Sequence, residues 1–268
     1  GGDLSEPLSN LDCKNSGTAL RFMIAQAATC EFPIILDGDA SLRARSSLPL
    51  VKSLGIRAIS ESADSEYPLH LQGPFSAKLV EIDVSKTSQY HSALMLMAPR
   101  TNGFEISTIG TAVSRKHSSL TWELCEITGA KTPGQPWDVS CPDIVIPPDA
   151  SMMAFAKLAG LSVENIPNAS DSIGHELENS DLRDSNDLIT PMSAWLALGE
   201  GGTISGAHHA AFKESNRITK TVEMLSKFSI EAKINDDGIT IPGYQQPKKP
   251  EGVVETYGDH RIQMTAVL

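Results

Sequence analysis

One ordering of polar and apolar residues returns along this chain at a nearly constant interval, and that period restricts the fold more than any single residue does. Small polar residues (Asn15, Ser16, Gly17, Thr18) precede apolar positions at helical spacing, Leu20, Met23, Ile24, Ala27 and Ala28, which predicts a helix from Asn15 to Ala28. An apolar strand, Phe32 to Leu36, follows. A second helix runs from about Leu42 to Leu54 and stops at Gly55, and two strands come next, Arg57 to Ser60 and Leu69 to Gln72. Thr87-Ser88-Gln89 opens the next copy: a helix through Leu94 to Met97 and Pro99, a strand Phe104 to Ile109, and a helix carrying Leu120, Leu124 and Ile127 up to Gly129. Ser16 and Ser88 are 72 residues apart and Gly55 and Gly129 are 74 apart. Two landmarks sharing one period indicate a duplicated α/β unit.

Three more helix starts follow, at Asp149-Ala150-Ser151, Thr190-Pro191-Met192-Ser193 and Asp259-His260-Arg261. After the middle one come a strand Thr203 to Ser205, a helix Glu214 to Phe228, and strands Ala232 to Asn235 and Ile239 to Ile241. The 41 residues from Ala150 to Pro191 leave only a helical stub, Ser172 to Glu178, and Gly129 to Asp149 lacks room for two strands. Segments missing from the chain explain this best, because loss of a core helix would bare the apolar face of its sheet. With Ile146-Pro147-Pro148 interrupting regular structure, two domains are expected, 1–147 and 148–268, the second partial.

The polar helix starts matter because the first N–H groups of a helix have no partner within it and carry partial positive charge. Each is worth about 0.3–1 kcal/mol toward an anion, so several acting together can hold a doubly charged phosphate. The chain as a whole repels anions: its formal net charge is −11. That balance excludes nucleic acid, which demands a basic stripe. No apolar run approaches the length of a membrane span. Cys13, Cys30, Cys125 and Cys141 are widely spaced without a CxxC pair, so free thiols in a cytoplasmic protein are expected.

Charged clusters stand at matching places after apolar strands: Ser41-Leu42-Arg43-Ala44-Arg45, Ser114-Arg115-Lys116-His117 and Lys213-Glu214-Ser215-Asn216-Arg217. A carboxylate between two cations, Glu214 between Lys213 and Arg217, is suited to acid–base work. Asp187, just ahead of a helix start, is a second carboxylate able to accept a proton from a hydroxyl. His260, beside Asp259 and Arg261, is favoured for a site role over a structural one. His208-His209 lacks further ligands at metal spacing, so no metal is expected, and no organic cofactor is signalled.

In chain order, Asn15-Ser16-Gly17-Thr18-Ala19-Leu20-Arg21, Gly38-Asp39-Ala40-Ser41-Leu42-Arg43-Ala44-Arg45, Thr87-Ser88-Gln89, Asp149-Ala150-Ser151, Lys213-Glu214-Ser215-Asn216-Arg217 and Asp259-His260-Arg261 resemble the motifs of the 5-enolpyruvylshikimate-3-phosphate (EPSP) synthase family of enolpyruvyl transferases. The resemblance implies a two-domain inside-out α/β barrel built from βαβαββ units. It implies transfer of the enolpyruvyl group from phosphoenolpyruvate to the 5-hydroxyl of shikimate 3-phosphate, with release of phosphate, by a cytoplasmic, monomeric enzyme without cofactor. By motif match Gly17, at the helix start that also carries Asn15 and Thr18, would contact phosphoenolpyruvate together with Arg45, Gln89, Arg217 and Arg261. Thr87 and Ser88 would hold the shikimate phosphate, with Ser114 and Arg21 nearby. Asp187 would orient or deprotonate the 5-hydroxyl, and Glu214 would move the proton at the methylene carbon, supported by Lys213 and His260. The family's N-terminal Lys-Ser and Arg motif and its C-terminal lysine are not in the chain, which is therefore expected to be incomplete at both ends and weakly active or inactive by itself. Ser114-Arg115-Lys116-His117 stands where the family usually has Ser-Lys/Arg-Pro-Tyr, and Asn216 where it usually has an acid. Two other readings are a UDP-N-acetylglucosamine enolpyruvyl transferase and a non-catalytic fragment that binds a phosphorylated metabolite.

Overall fold

Strand β1 (Leu11–Asp12) lies parallel to β2 (Ile34–Asp37), and helix α1 (Gly17–Ala28) connects them. This is a computed structural model, describing residues 4–62, 65–145, 150–162 and 181–268. α1 begins where the Ala19 amide donates to Ser16 Oγ at 3.1 Å, the cap that the polar run predicts. It buries Leu20, Ile24, Ala27 and Ala28. Burial contributes about 1.5–3 kcal/mol for each large aliphatic side chain among them. β3 (Arg57–Ser62) and β4 (Ser65–Gln72) close an antiparallel pair, and the sheet order is β1-β2-β4-β3.

The single helix expected over Leu42 to Leu54 is two helices, α2 (Ala40–Arg43) and α3 (Leu48–Leu54). Pro49 is the physical reason. In a continuous helix residue 49 would donate its amide to the Arg45 carbonyl, and proline has no amide hydrogen. That carbonyl instead accepts from the Tyr67 hydroxyl at 3.1 Å. α3 stops as expected at Gly55, whose φ of 64° is a left-handed cap.

The second copy repeats the order with β5 (Leu79–Asp83), α4 (Gln89–Met97), β6 (Glu105–Ile109) and α5 (Arg115–Ile127), β5 and β6 being parallel. The opening strands β1 and β5 were not among the predicted elements, although the buried Val80 and Ile82 alternate with exposed Leu79 and Glu81. No strand follows α5 within residues 128–145, in line with the short interval there. Leu120, Leu124 and Ile127 of α5 are exposed, and that helix instead buries Cys125 against Met95.

Later in the chain a 3-10 turn (Ala150–Met152) leads into α6 (Met153–Leu158), and another (Asn186–Leu188) leads into α7 (Ile189–Leu198). β7 (Gly201–Ile204), β8 (Lys233–Ile234) and β9 (Ile239–Pro242) form an antiparallel sheet ordered β7-β9-β8, with α8 (Arg217–Lys227) and α9 (His260–Val267) completing the described elements. The helix start expected near Thr190-Pro191-Met192-Ser193 is that of α7, at Ile189; Thr190 and Ser193 are buried inside it, their hydroxyls donating to the carbonyls of Arg261 and Ile189. The preceding 3-10 turn does the work of a cap. The helix expected from Glu214 starts at Arg217, with the Asn216 side chain accepting from the Thr219 amide. Asp149, the Ile146–Pro148 interruption and the stub Ser172 to Glu178 lie outside the described residues.

The chain divides into two compact units, Gly1–Ile144 and Val145–Leu268. The first has a core around Leu20, Ile24, Leu36, Leu69, Ile82 and Leu94; the second around Ile189, Met192, Ile204, Leu225, Ile239 and Ile262. All four cysteines are unpaired. No described helix is long and apolar enough to cross a membrane.

Candidate active site

In the first unit, α1 and α4 run side by side in the same sense. Gln89 Nε2 donates to Thr18 Oγ1 at 2.9 Å at their N-terminal ends, and Gln26 Nε2 donates to the Leu96 carbonyl further along. The positive ends of both helices therefore share one edge. Ser88 is buried at the start of α4 but makes no capping bond; the Thr87 hydroxyl instead accepts from the Gln89 amide. The N-terminus of α4 is thus left largely uncapped by side chains. Arg45 reaches the same edge from the turn that Pro49 creates, donating through Nη2 to the Asn15 carbonyl (2.8 Å) and Asn15 Oδ1 (2.6 Å). Arg21 is buried, and its Nε has no hydrogen-bond partner. A Cβ on Gly17 would lie 2.0 Å from Arg21 Nη1 and 3.3 Å from Arg45 Nη1, so only glycine lets the two guanidiniums converge there. Ser114 is buried just ahead of α5 in a left-handed conformation (φ 51°), again without a capping bond.

The second unit centres on Arg217, whose side chain is 2% exposed. Nε donates to Asp259 Oδ2 at 2.8 Å, Nη1 to Asp187 Oδ1 at 2.5 Å, and Nη2 to Glu214 Oε2. Asp259 also accepts from Ser215 Oγ and from the Arg261 amide that it caps. Arg261 donates to Ser151 Oγ at 2.9 Å and stands 3.5 Å from Asp187 Oδ2. Asp187, Glu214, Arg217 and Arg261 are therefore one hydrogen-bonded cluster. Lys213 is half-buried beside it, and burial, with Arg217 and Arg261 adding to it, pushes its ammonium pKa down against the pull of Asp187 and Glu214. His260 is exposed at the first position of α9 and makes no hydrogen bond with the cluster. Two apolar grooves on the second unit, 360 and 440 Å³, include none of these residues.

Asp259 and His209 have parts other than those their sequence context suggests. Asp259 was read as company for His260, whereas it anchors Arg217; burial opposes its ionisation, but Arg217 prevails and holds its pKa below the usual carboxylate range. His209 is 1% exposed with neither ring nitrogen hydrogen-bonded, and burial, aided by Lys213 and His208, pushes its pKa down to about 4. An unfolded chain takes up this proton near pH 6.5, before the native chain does, so stability falls as pH drops from 6.5 toward about 4 and is unaffected above that window. His209→Gln is expected to flatten this part of a urea-unfolding pH series. An unchanged slope would show that His209 does not cause it. Asp259 acts in a lower window, its contribution being lost only as pH falls below 3.8.

With this geometry in view, comparison with known proteins is informative. The family model of EPSP synthase (3-phosphoshikimate 1-carboxyvinyltransferase) matches residues 1–157 and 135–268. A 3-phosphoshikimate 1-carboxyvinyltransferase from Caldivirga maquilingensis is 30% identical over 93% of this chain and 69% of its own length. One from Methanosarcina acetivorans is 28% identical over all of this chain and 74% of its own length. The solved EPSP synthase of Acinetobacter baumannii shares the fold, with a TM-score of 0.65, at 19% identity over 97% of this chain and 72% of that one. The chain belongs to the EPSP synthase (3-phosphoshikimate 1-carboxyvinyltransferase) family.

Proposed function

We propose that this protein transfers the enolpyruvyl group of phosphoenolpyruvate to the 5-hydroxyl of shikimate 3-phosphate, releasing phosphate. The observation that carries this reading is Arg217, a buried guanidinium bonded at once to Glu214, Asp187 and Asp259 within the family's charged motif. It places two half-buried carboxylates beside a strong anion binder, which is what the chemistry requires. The 5-hydroxyl must lose a proton as it attacks the enol carbon, and the methylene carbon must gain one; the second step reverses the carbon protonation and expels phosphate. Asp187 takes the hydroxyl proton, and Glu214 gives and later recovers the proton at carbon, with Lys213 and His260 in support. Arg217, Arg261, Gly17, Arg45 and Gln89 contact phosphoenolpyruvate, with Asn15 and Thr18 beside Gly17. Thr87, Ser88, Ser114 and Arg21 hold the shikimate phosphate. Charge-assisted hydrogen bonds of about 1.5–3 kcal/mol each suffice to capture small polyanions on an acidic protein. No organic cofactor or metal enters this scheme. We further propose a monomeric, cytoplasmic protein whose βαβαββ units belong to an inside-out barrel.

A phosphate-release assay tests the reading. Release should require both phosphoenolpyruvate and shikimate 3-phosphate, and UDP-N-acetylglucosamine should not replace the latter as acceptor or compete with it in a binding titration. Release with the nucleotide sugar, or tight binding of shikimate 3-phosphate with no release at any enzyme concentration, would overturn it.

A further inference from the structure

The turn that presents Arg45 has little secondary structure of its own to hold it. Its geometry is set from outside by two phenols and by Glu66, whose Oε2 accepts from the Ser47 amide at 3.2 Å. The Tyr67 hydroxyl donates to the Arg45 carbonyl (3.1 Å), and the Tyr90 hydroxyl donates to the next carbonyl, that of Ser46 (3.2 Å). Tyr90 is only 6% exposed and lies in the first turn of α4, directly after Gln89. Its ring also faces the other arginine of this edge: the guanidinium carbon of Arg21 is 6.0 Å from the ring centroid. Arg21 Nε has no hydrogen-bond partner, and the guanidinium is oriented by the ring and the hydroxyl of Tyr90, which hydrogen-bonds it, with Nη1 seated in the space that the missing Cβ of Gly17 leaves.

We propose that Tyr90 is a positioning residue for anion binding, one phenol holding both the turn that carries Arg45 and the guanidinium of Arg21. This rests on the reading above, in which Arg45 meets phosphoenolpyruvate and Arg21 meets the shikimate phosphate. The hydroxyl, through Ser46, sets where Arg45 emerges; ring and hydroxyl together set the plane of Arg21. Burial pushes the phenol pKa up against the opposing charge of Arg21, so the hydroxyl keeps the proton that it donates. Displacing a guanidinium by a fraction of an ångström costs affinity because bidentate charge-assisted bonds tolerate little misalignment.

Calorimetric titration of Tyr90→Phe and Tyr90→Leu, each substrate being titrated with the other present, tests this. Tyr90→Phe loses the Ser46 bond and the hydroxyl's bond with Arg21 but keeps the ring, so both affinities should fall about 5-fold, the worth of one hydrogen bond. Tyr90→Leu also loses the ring, so shikimate 3-phosphate should bind more weakly still, by about 10-fold or more in all. Phe preserves the volume of the site, so Tyr90→Phe carries the test even if Tyr90→Leu fails to fold. Unchanged affinities in Tyr90→Phe, or shikimate 3-phosphate binding as tightly to Tyr90→Leu as to Tyr90→Phe, would overturn the proposal. If the unsubstituted chain binds neither substrate, the functional reading is what fails. Inorganic phosphate is then the probe: weaker phosphate binding in Tyr90→Leu supports the positioning role, and equal binding overturns it.

Discussion

Replacing Glu214 by Gln is expected to lower kcat by about 100- to 10,000-fold, the range for loss of a positioned acid–base group, without weakening the binding of phosphoenolpyruvate. Glutamine keeps the shape of the side chain but cannot exchange a proton with carbon. Arg217 donates to Asp259, Asp187 and Glu214 through three of its five N–H groups. An incoming carboxylate or phosphate must therefore bind beside carboxylates that compete with it for the same positive charge. Removing the charge of Glu214 removes a competitor, so the dissociation constant should stay the same or tighten. Initial-rate kinetics and equilibrium titration of the same preparation separate the two effects. A weaker complex with an intact rate would assign Glu214 to binding and take it out of the chemistry.

Replacing Arg217 by Met should produce the largest loss of stability of any single change in the second unit. The guanidinium is almost fully buried and neutralises Asp259, which is wholly buried. Removing one partner of such a pair strands the other charges, at a cost of about 3–5 kcal/mol. For a unit of this size that lowers the melting temperature by roughly 10–20 °C. The pH dependence provides the sharper check because its sign inverts. In the unsubstituted protein the pKa of Asp259 is depressed, so its contribution is present above 3.8 and is lost as pH falls below that value. Without Arg217, burial raises the same pKa, so on acidification Arg217→Met should regain stability relative to the unsubstituted protein until Asp259 is protonated. Asn at position 259 should recover part of the loss in the double variant. A melting temperature within a few degrees of the original, with an unaltered acid limb, would mean that the cluster contributes little to folding.

How far each feature was legible depended on how local its cause is. The cap at Ser16, the stop at Gly55, the register of α4 after Thr87 and the doubling of the α/β unit depend on neighbouring residues alone, and all are present in the structure. The strands β1 and β5 are short, and their alternation is a weak local signal beside the helices that follow. The break at Ala44–Ser47 was also local, in Pro49, but its outcome was not: the freed Arg45 carbonyl needed a donor, and Tyr67 on β4 supplies it. The helix start near Thr190 was legible too, but not that tertiary packing buries the Thr190 and Ser193 hydroxyls or that a 3-10 turn enters the helix.

The candidate site divides in the same way. Residue type and spacing were enough to nominate Arg45, Asp187, Glu214, Arg217 and Arg261, because anion binding and proton transfer demand guanidiniums and carboxylates at helix starts. They could not show that Arg217 bonds three carboxylates at once, that Asp259 is its anchor, that Gly17 clears space for two guanidiniums, or that His209 is buried without a partner. Each of those is a relation between side chains far apart along the chain, set by burial and contact distance. A chain's order of residues determines its helices, turns and chemical groups through short-range sterics and hydrogen bonding; which charges meet, and at what cost of desolvation, is decided only when the folded elements bring them together.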